Sequence, residues 1–168
     1  MALRTIFKEG DDVLYKKSRE VEVFDQKLWS ILDDMAETMY ESNGVGLAAP
    51  QIGMLKRIAL VDIGDDLFEL INPKITHSSD ELDTDLEGCL SCPGEYGYLE
   101  RPITIAVEYF DRNGTPQSII ANDFLARAFC HELDHLDGIL FKQKVIRMAD
   151  PDELDEHQDK KKKRRSIK

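Results

Sequence analysis

Cysteine is scarce in this chain and odd in number. Three cysteines among 168 residues do not make a disulfide framework, and they point to a reducing compartment. Long hydrophobic runs are missing. No stretch approaches the ~20 apolar residues of a membrane span, and residues 1–8 hold no apolar run of signal-peptide length. A cytoplasmic location without membrane contact is therefore expected. Internal repeats and dividing linkers are absent too, which leaves one domain with a sizeable core. Bases are short over most of the chain. Residues 1–159 carry 15 bases against 33 acids, whereas 160–168 carry seven bases and no acid. An acidic body does not attract nucleic acid. The cationic end can, through phosphate contacts, although a solvated chain end is the simpler account.

What is present sorts by period. Leu28, Ile31, Leu32, Met35 and Met39 recur at helical spacing, predicting a helix over 25–42 that Asn43-Gly44 ends. Residues 57–63 and 67–72 read as strands about a turn at 64–66. Residues 103–110 and 116–121 read as a hairpin, and 139–146 as a further strand. Residues 74–86 are polar and show no clear period. Asn122 and Asp123 are capping types before a helix that Gly138 stops. Asp150-Pro151-Asp152-Glu153 opens a last helix, acidic first and basic last, as a helix macrodipole favours. The expected fold class is α+β, with antiparallel sheets packed around a central helix, an N-terminal helix and a C-terminal helix.

The densest chemistry lies in His131-Glu132-Leu133-Asp134-His135. On an α-helix, residues i and i+4 differ by about 40° in angle and about 6 Å in rise, so both imidazoles reach one metal ion. Glu132 can then reach a water on that ion without ligating it, the H-E-x-x-H arrangement of metal-dependent hydrolases. Phe124, Ala128, His131 and His135 share one helix face. Cys130 points off that face and reads as a small buried residue.

Cys89, in Glu87-Gly-Cys-Leu-Ser91, is the best third ligand and leaves a tetrahedral metal one position for water. Cys89-Leu-Ser-Cys92 is also a C-x-x-C, so a closed structural site using Cys89, Cys92, His131 and His135 stays open. Glu132 would be idle there, and Pro93-Gly94 suggest a chain turning away. A zinc endopeptidase shares the helix motif but takes its third ligand C-terminal to it, where His157 is the only histidine. Gly44-Val-Gly-Leu-Ala-Ala-Pro-Gln51 offers small residues that admit a close backbone. It also offers a Gln51 amide suited to a developing oxyanion. A tight turn after the first helix explains its glycines as well.

Together these three segments resemble the peptide deformylase family, whose motifs G-x-G-x-A-A-x-Q, E-G-C-L-S and Q-H-E-x-D-H occur in this order. The resemblance spans residues 1 to about 148 and departs at Cys130, where many relatives carry Gln. It looks like the bacterial and organellar type without the long insertion. It implies a catalytic domain over 1–148, with 149–168 as a C-terminal helix and basic tail. The implied substrates are N-formylmethionyl peptides, from which formate is released. The implied metal ligands are Cys89, His131 and His135. They hold one divalent metal, ferrous iron in the cell, with zinc, nickel or cobalt in a purified sample. Glu132 is the implied proton carrier, and the Leu90 N–H and Gln51 side chain are the oxyanion donors. Gly44, Val45, Gly46 and Gly88 bind the peptide as an added strand. Val45, Phe124 and Ala128 are candidate walls of the methionine pocket, on which Arg127, one turn before His131, can intrude. Glu87 and Arg101 are expected to pair and steady the Cys89 loop. A monomer is expected. The basic tail is expected to reach the ribosome, with removal of the segment beyond Asp150 leaving the chemistry intact.

Overall fold

The computed structural model describes residues 2–155. Helix α1, Gln26–Glu41, begins where the Asp25 carboxylate accepts from the Leu28 N–H at 3.1 Å, an N-cap that satisfies one of the helix's free donors. It buries Leu28, Ile31, Leu32, Met35 and Met39, the predicted stripe. Full burial of side chains such as Leu32 and Met35 contributes about 1.5–3 kcal/mol each. Asn43, at φ 55°, follows the helix in the left-handed region, where Asn is among the few residues tolerated.

Among the described residues, eight strands form two antiparallel sheets. In chain order they are β1 Gly46–Ala48, β2 Ile58–Val61, β3 Phe68–Ser78, β4 Leu82–Cys89, β5 Cys92–Pro102, β6 Thr104–Phe110, β7 Pro116–Asn122 and β8 Arg147–Met148. The first sheet runs β1-β2-β3-β6-β7 and the second β4-β5-β8. β1 and β4 are therefore both edge strands. Helix α2, Asp123–Leu136, lies between the sheets. Ala126, Phe129, Cys130, Leu133 and Leu136 pack into the core of the first sheet, and Phe129 meets Phe68 edge-on at 5.4 Å. Arg127, His131 and Glu132 line a cleft shared with β4 and β5. α1 covers a second cluster with Leu47, Ile58, Leu60 and Ile71.

The α+β class and the central helix agree with the sequence reading. Three segments differ. Residues 139–146 are not a strand. They hold a 3-10 turn, Phe141–Gln143, whose Phe141 is buried with Cys92 and Leu99 and stacks on His131 at 6.0 Å. The apolar residues there plug a gap instead of alternating on a sheet. Residues 74–78 extend β3 with bulges after Ile71 and Ile75, and they are exposed on both faces, which erased the period-two signal. β5 went unread because Pro93, Gly94 and Gly97 interrupt its pattern. Pro93-Gly94 do not lead the chain away, since Cys92 pairs directly with Cys89 across a two-residue hairpin. Asn122 does not cap α2 with its side chain. Its Oδ1 accepts from the Thr104 hydroxyl at 2.8 Å. Residues 151–155 are helical, and the basic run 160–168 lies outside the described residues.

Gly138 ends α2 at φ 76°, with its Cα against the N-terminal segment. A Cβ there would stand 2.6 Å from the Tyr15 carbonyl atoms. Gly138→Ala should lower stability by at least about 1 kcal/mol in urea unfolding. Gly64→Ala meets open space, so it should incur only backbone strain and lose less stability.

Candidate metal centre

The site is assembled from three pieces of chain. α2 presents His131 and His135 one turn apart, their ring centroids 5.0 Å apart. The β4–β5 hairpin presents Cys89, whose Sγ lies 3.3 Å from His135 Nε2. One donor atom from each of Cys89, His131 and His135 falls within 4.8 Å of the others. The turn after β1 presents Gln51.

Two of the three donors, His131 and Cys89, have a polar partner outside the triad. Glu87 Oε1 lies 2.9 Å from His131 Nδ1, and the carboxylate therefore takes that ring's N–H. This fixes the tautomer and turns the Nε2 lone pair toward the other donors, as in metal-bound histidines generally. Burial works against a charged His131, but the Glu87 contact outweighs it and raises its pKa. Burial, followed by the neighbouring His131, drives the pKa of His135 well down, leaving a neutral imidazole, the form that ligates. His135 Nδ1 is buried without a protein partner. One thiol and two imidazoles in this geometry suit a borderline-soft divalent metal with an open position.

Glu87 is the centre of the surrounding network. Arg101 donates to it through Nε and Nη2, both at 2.9 Å, and reaches Asp134 at 2.6 Å through Nη1. The expected pair is therefore present. Arg127 does more than the sequence suggested. It lines the cleft, but its guanidinium turns onto Glu87 at 2.7 Å and onto the carbonyls of Asp83 and Leu99 at 2.8 and 3.1 Å. Its position one turn before His131 was the available signal, since residues four apart share a helix face. Burial alone would raise the Glu87 pKa. The donors from Arg101 and His131 reverse this and hold the carboxyl far below the usual range.

Glu132 stands differently. Its Oε1 is 4.0 Å from His131 Nε2, and its Oε2 is buried without a protein partner. Burial pushes its pKa up to about 7. Gly46 makes room for it, because a Cβ there would lie 2.5 Å from Glu132 Oε1. The small residues of the first motif thus admit a side chain of α2 where a backbone was expected.

The Gln51 amide is oriented at both ends. Its Oε1 accepts from the Ala48 N–H at 2.9 Å, and its Nε2 donates to Ser91 Oγ at 3.1 Å and contacts Cys89 Sγ at 3.5 Å. Ser91 was read only as a motif letter. The N-terminal segment braces both motifs, with the Phe7 N–H on the Gln51 carbonyl at 2.7 Å and the Glu9 N–H on the Ser91 carbonyl at 2.9 Å.

A cleft of about 510 Å³ opens over the centre. Gly44, Val45, Gly46, Gln51, Gly88, Cys89, Leu90, Phe124, Ala128, His131 and Glu132 all line it; His135 sits beneath, fully buried. Cys92 is buried beside Cys89 and reaches the cleft wall. Cys130 stands apart in the first sheet's core, its thiol pushed up to about 11 by burial.

The family model described as polypeptide deformylase matches residues 3–150. The peptide deformylase of Acetivibrio thermocellus is 50% identical over 163 residues, covering 97% of this chain and 95% of its own length. That of Finegoldia magna is 53% identical over 152 residues, covering 89% and 94%. The crystal structure of peptide deformylase from Thermotoga maritima superposes with a TM-score of 0.85 at 37% identity, over 86% of this chain and 99% of that one. That of a peptide deformylase from Synechococcus elongatus in complex with actinonin gives 0.82 at 41% identity, over 92% and 84%. Sequence and fold agree along nearly the whole length. The chain belongs to the polypeptide deformylase family, metal-dependent hydrolases that remove the formyl group from the N-terminus of nascent polypeptides.

Proposed function

We propose that Cys89, His131 and His135 hold the catalytic metal and that Glu132 carries the proton in hydrolysis of the formyl amide. The observation that carries this is the buried, unpartnered Glu132 carboxyl oxygen beside the converging Cys89 and histidine donors. A divalent metal bound there supplies a water acidified toward neutral pH and an electrophile for the formyl oxygen.

The chain's own groups do the rest. Glu132, with a pKa near that of the working medium, takes a proton from the attacking water and later delivers it to the departing amine. The Leu90 N–H and the Gln51 Nε2 are the donors for the oxyanion, and Ala48 and Ser91 keep the amide aimed. The free edges of β1 and β4 bring Gly46 and Gly88 to the cleft, where the backbone of an extended peptide pairs as an added strand. Gly44 and Val45 extend the first of these edges. Val45 and Phe124 are about two-fifths exposed, and with Ala128 they form the apolar wall offered to the methionine side chain.

Ferrous iron is the proposed resident metal. Affinity order places it below zinc, nickel and cobalt, so availability decides, and a purified sample can carry any of them. No described helix is long and apolar enough to cross a membrane. A cytoplasmic monomer, with residues 1–148 as the catalytic domain and the basic tail as its contact with the ribosome, completes the proposal.

Two mutant series test it. Cys89→Ala should weaken metal binding by more than the ~10–100-fold typical of losing an outer partner, read by metal analysis after dialysis. Cys92→Ala and Cys130→Ala should keep both metal and formate release. Equal metal loss from Cys89→Ala and Cys92→Ala would point to a closed structural site instead.

Glu132→Gln keeps the shape of the side chain and cannot carry a proton. It should retain metal while formate release from formyl-Met-Ala falls ~10²–10⁴-fold. Near-normal turnover with metal bound would assign the proton to another group.

A further inference from the structure

Among the described residues, one that lines the cleft comes from beyond α2. Leu154 borders the cleft from the helical turn at 151–155. It is half-buried, whereas its neighbours Asp152 and Asp155 are exposed.

The turn is fixed at its start. β8 pairs with β5 at Gly97 and Tyr98, and the Ala149 N–H donates to the Tyr96 carbonyl at 2.8 Å. The Arg147 guanidinium lies 4.4 Å above the Tyr98 ring and grips Glu153 through two contacts of 2.9 and 3.0 Å. Glu153 Oε2 also accepts from the Asp150 N–H at 3.0 Å. With Glu153 held on both sides, the next residue is delivered to the cleft. There it joins Tyr96, whose ring lies so close over Gly88 that a Cβ on Gly88 would stand 2.5 Å from it.

We propose that Leu154 is a specificity-determining residue: it forms, with Tyr96, an apolar wall for the residues that follow methionine in the formylated peptide. The placement carries this. The candidate walls of the methionine pocket come from α2 and residues 44–46, while Leu154 enters from the β5–β8 side. A single formyl-methionine fills the first region. A longer peptide paired along Gly88 passes beneath Tyr96 and meets Leu154. An apolar side chain there is favoured, because contact with leucine removes apolar surface from water. The segment beyond Asp150 therefore takes part in substrate selection, which its sequence did not suggest. This rests on the deformylase reading of the site.

The test uses the full-length, metal-loaded protein with formyl-Met amide, formyl-Met-Ala-Leu and formyl-Met-Ala-Asp. Wild type should prefer the Leu peptide to the Asp peptide. Leu154→Ala should raise KM for the Leu peptide roughly 3- to 10-fold, with kcat and the formyl-Met amide parameters unchanged. Calorimetry with the product Met-Ala-Leu should show the same fold-loss in affinity. Glu153→Ala, which frees the turn, should move in the same direction, and Asp152→Ala should not. If Leu154→Ala leaves all three substrates unchanged, or slows all three equally, the inference is overturned while the deformylase reading stands. If wild type releases no formate from any of them, that reading fails and this inference with it.

Discussion

A carboxylate as buried as that of Glu87 persists as an anion only when its charge is matched and its oxygens are filled. Both conditions are met by three cationic or donor groups from two elements. Arg101 comes from β5, Arg127 from α2, and the His131 ring from the next turn of α2. Each oxygen accepts twice. The cluster is the physical bond between the second sheet and the helix, and the candidate metal donors hang from its two sides. Cys89 follows Glu87 by two residues, and His131 is held by it directly. Removing one partner of such a group typically costs about 3–5 kcal/mol, because a buried charge is left unmatched. The position of the donors and the stability of the inter-sheet seam are therefore one quantity.

Around that cluster the helix has two distinct faces. One carries Phe129, Leu133 and Leu136 into the first sheet, and the other carries the polar residues toward the second. The apolar side anchors α2 regardless of what the polar side binds. This allows four ionisable residues within nine positions, Arg127, His131, Glu132 and His135, to be buried without loosening the helix. Their environments then push them apart chemically. Glu87, fully partnered, stays an anion far below neutral pH, while Glu132, unpartnered, moves up to about 7. Two carboxylates a few ångströms from one imidazole thus have different duties, one to orient and one to exchange a proton.

The convergence of the three donors was legible because its information is local. His131, Glu132 and His135 fit within about one helical turn, and Cys89 lies in a short motif whose chemistry has few uses. The α1 stripe and the 103–121 hairpin were legible for the same reason, since period and turn residues report nearby structure. Glu87 with Arg101 was inferred from its place beside a ligand, and its 2.9 Å contacts bear that out. Arg127 on Glu87, Ser91 on Gln51, and Leu154 beside Tyr96 in the cleft join residues 40, 40 and 58 positions apart, and no periodicity encodes such meetings. β5 was hidden by its own glycines, of which Gly97 packs closely against Val145, and which are silent in a propensity reading.

The brace formed by residues 7 and 9 on Gln51 and Ser91 has a consequence for how this protein comes into being. The centre draws on residues near 7, 51, 89 and 135, and Cys89 and His135 alone are 46 residues apart. Contacts of such long range form slowly, after the intervening chain has been ordered. On a growing chain the last candidate donor, His135, is made only after Gln51 and Cys89. A chain cut short before α2 lacks two of the three converging donors, so the set is complete only once α2 has been translated.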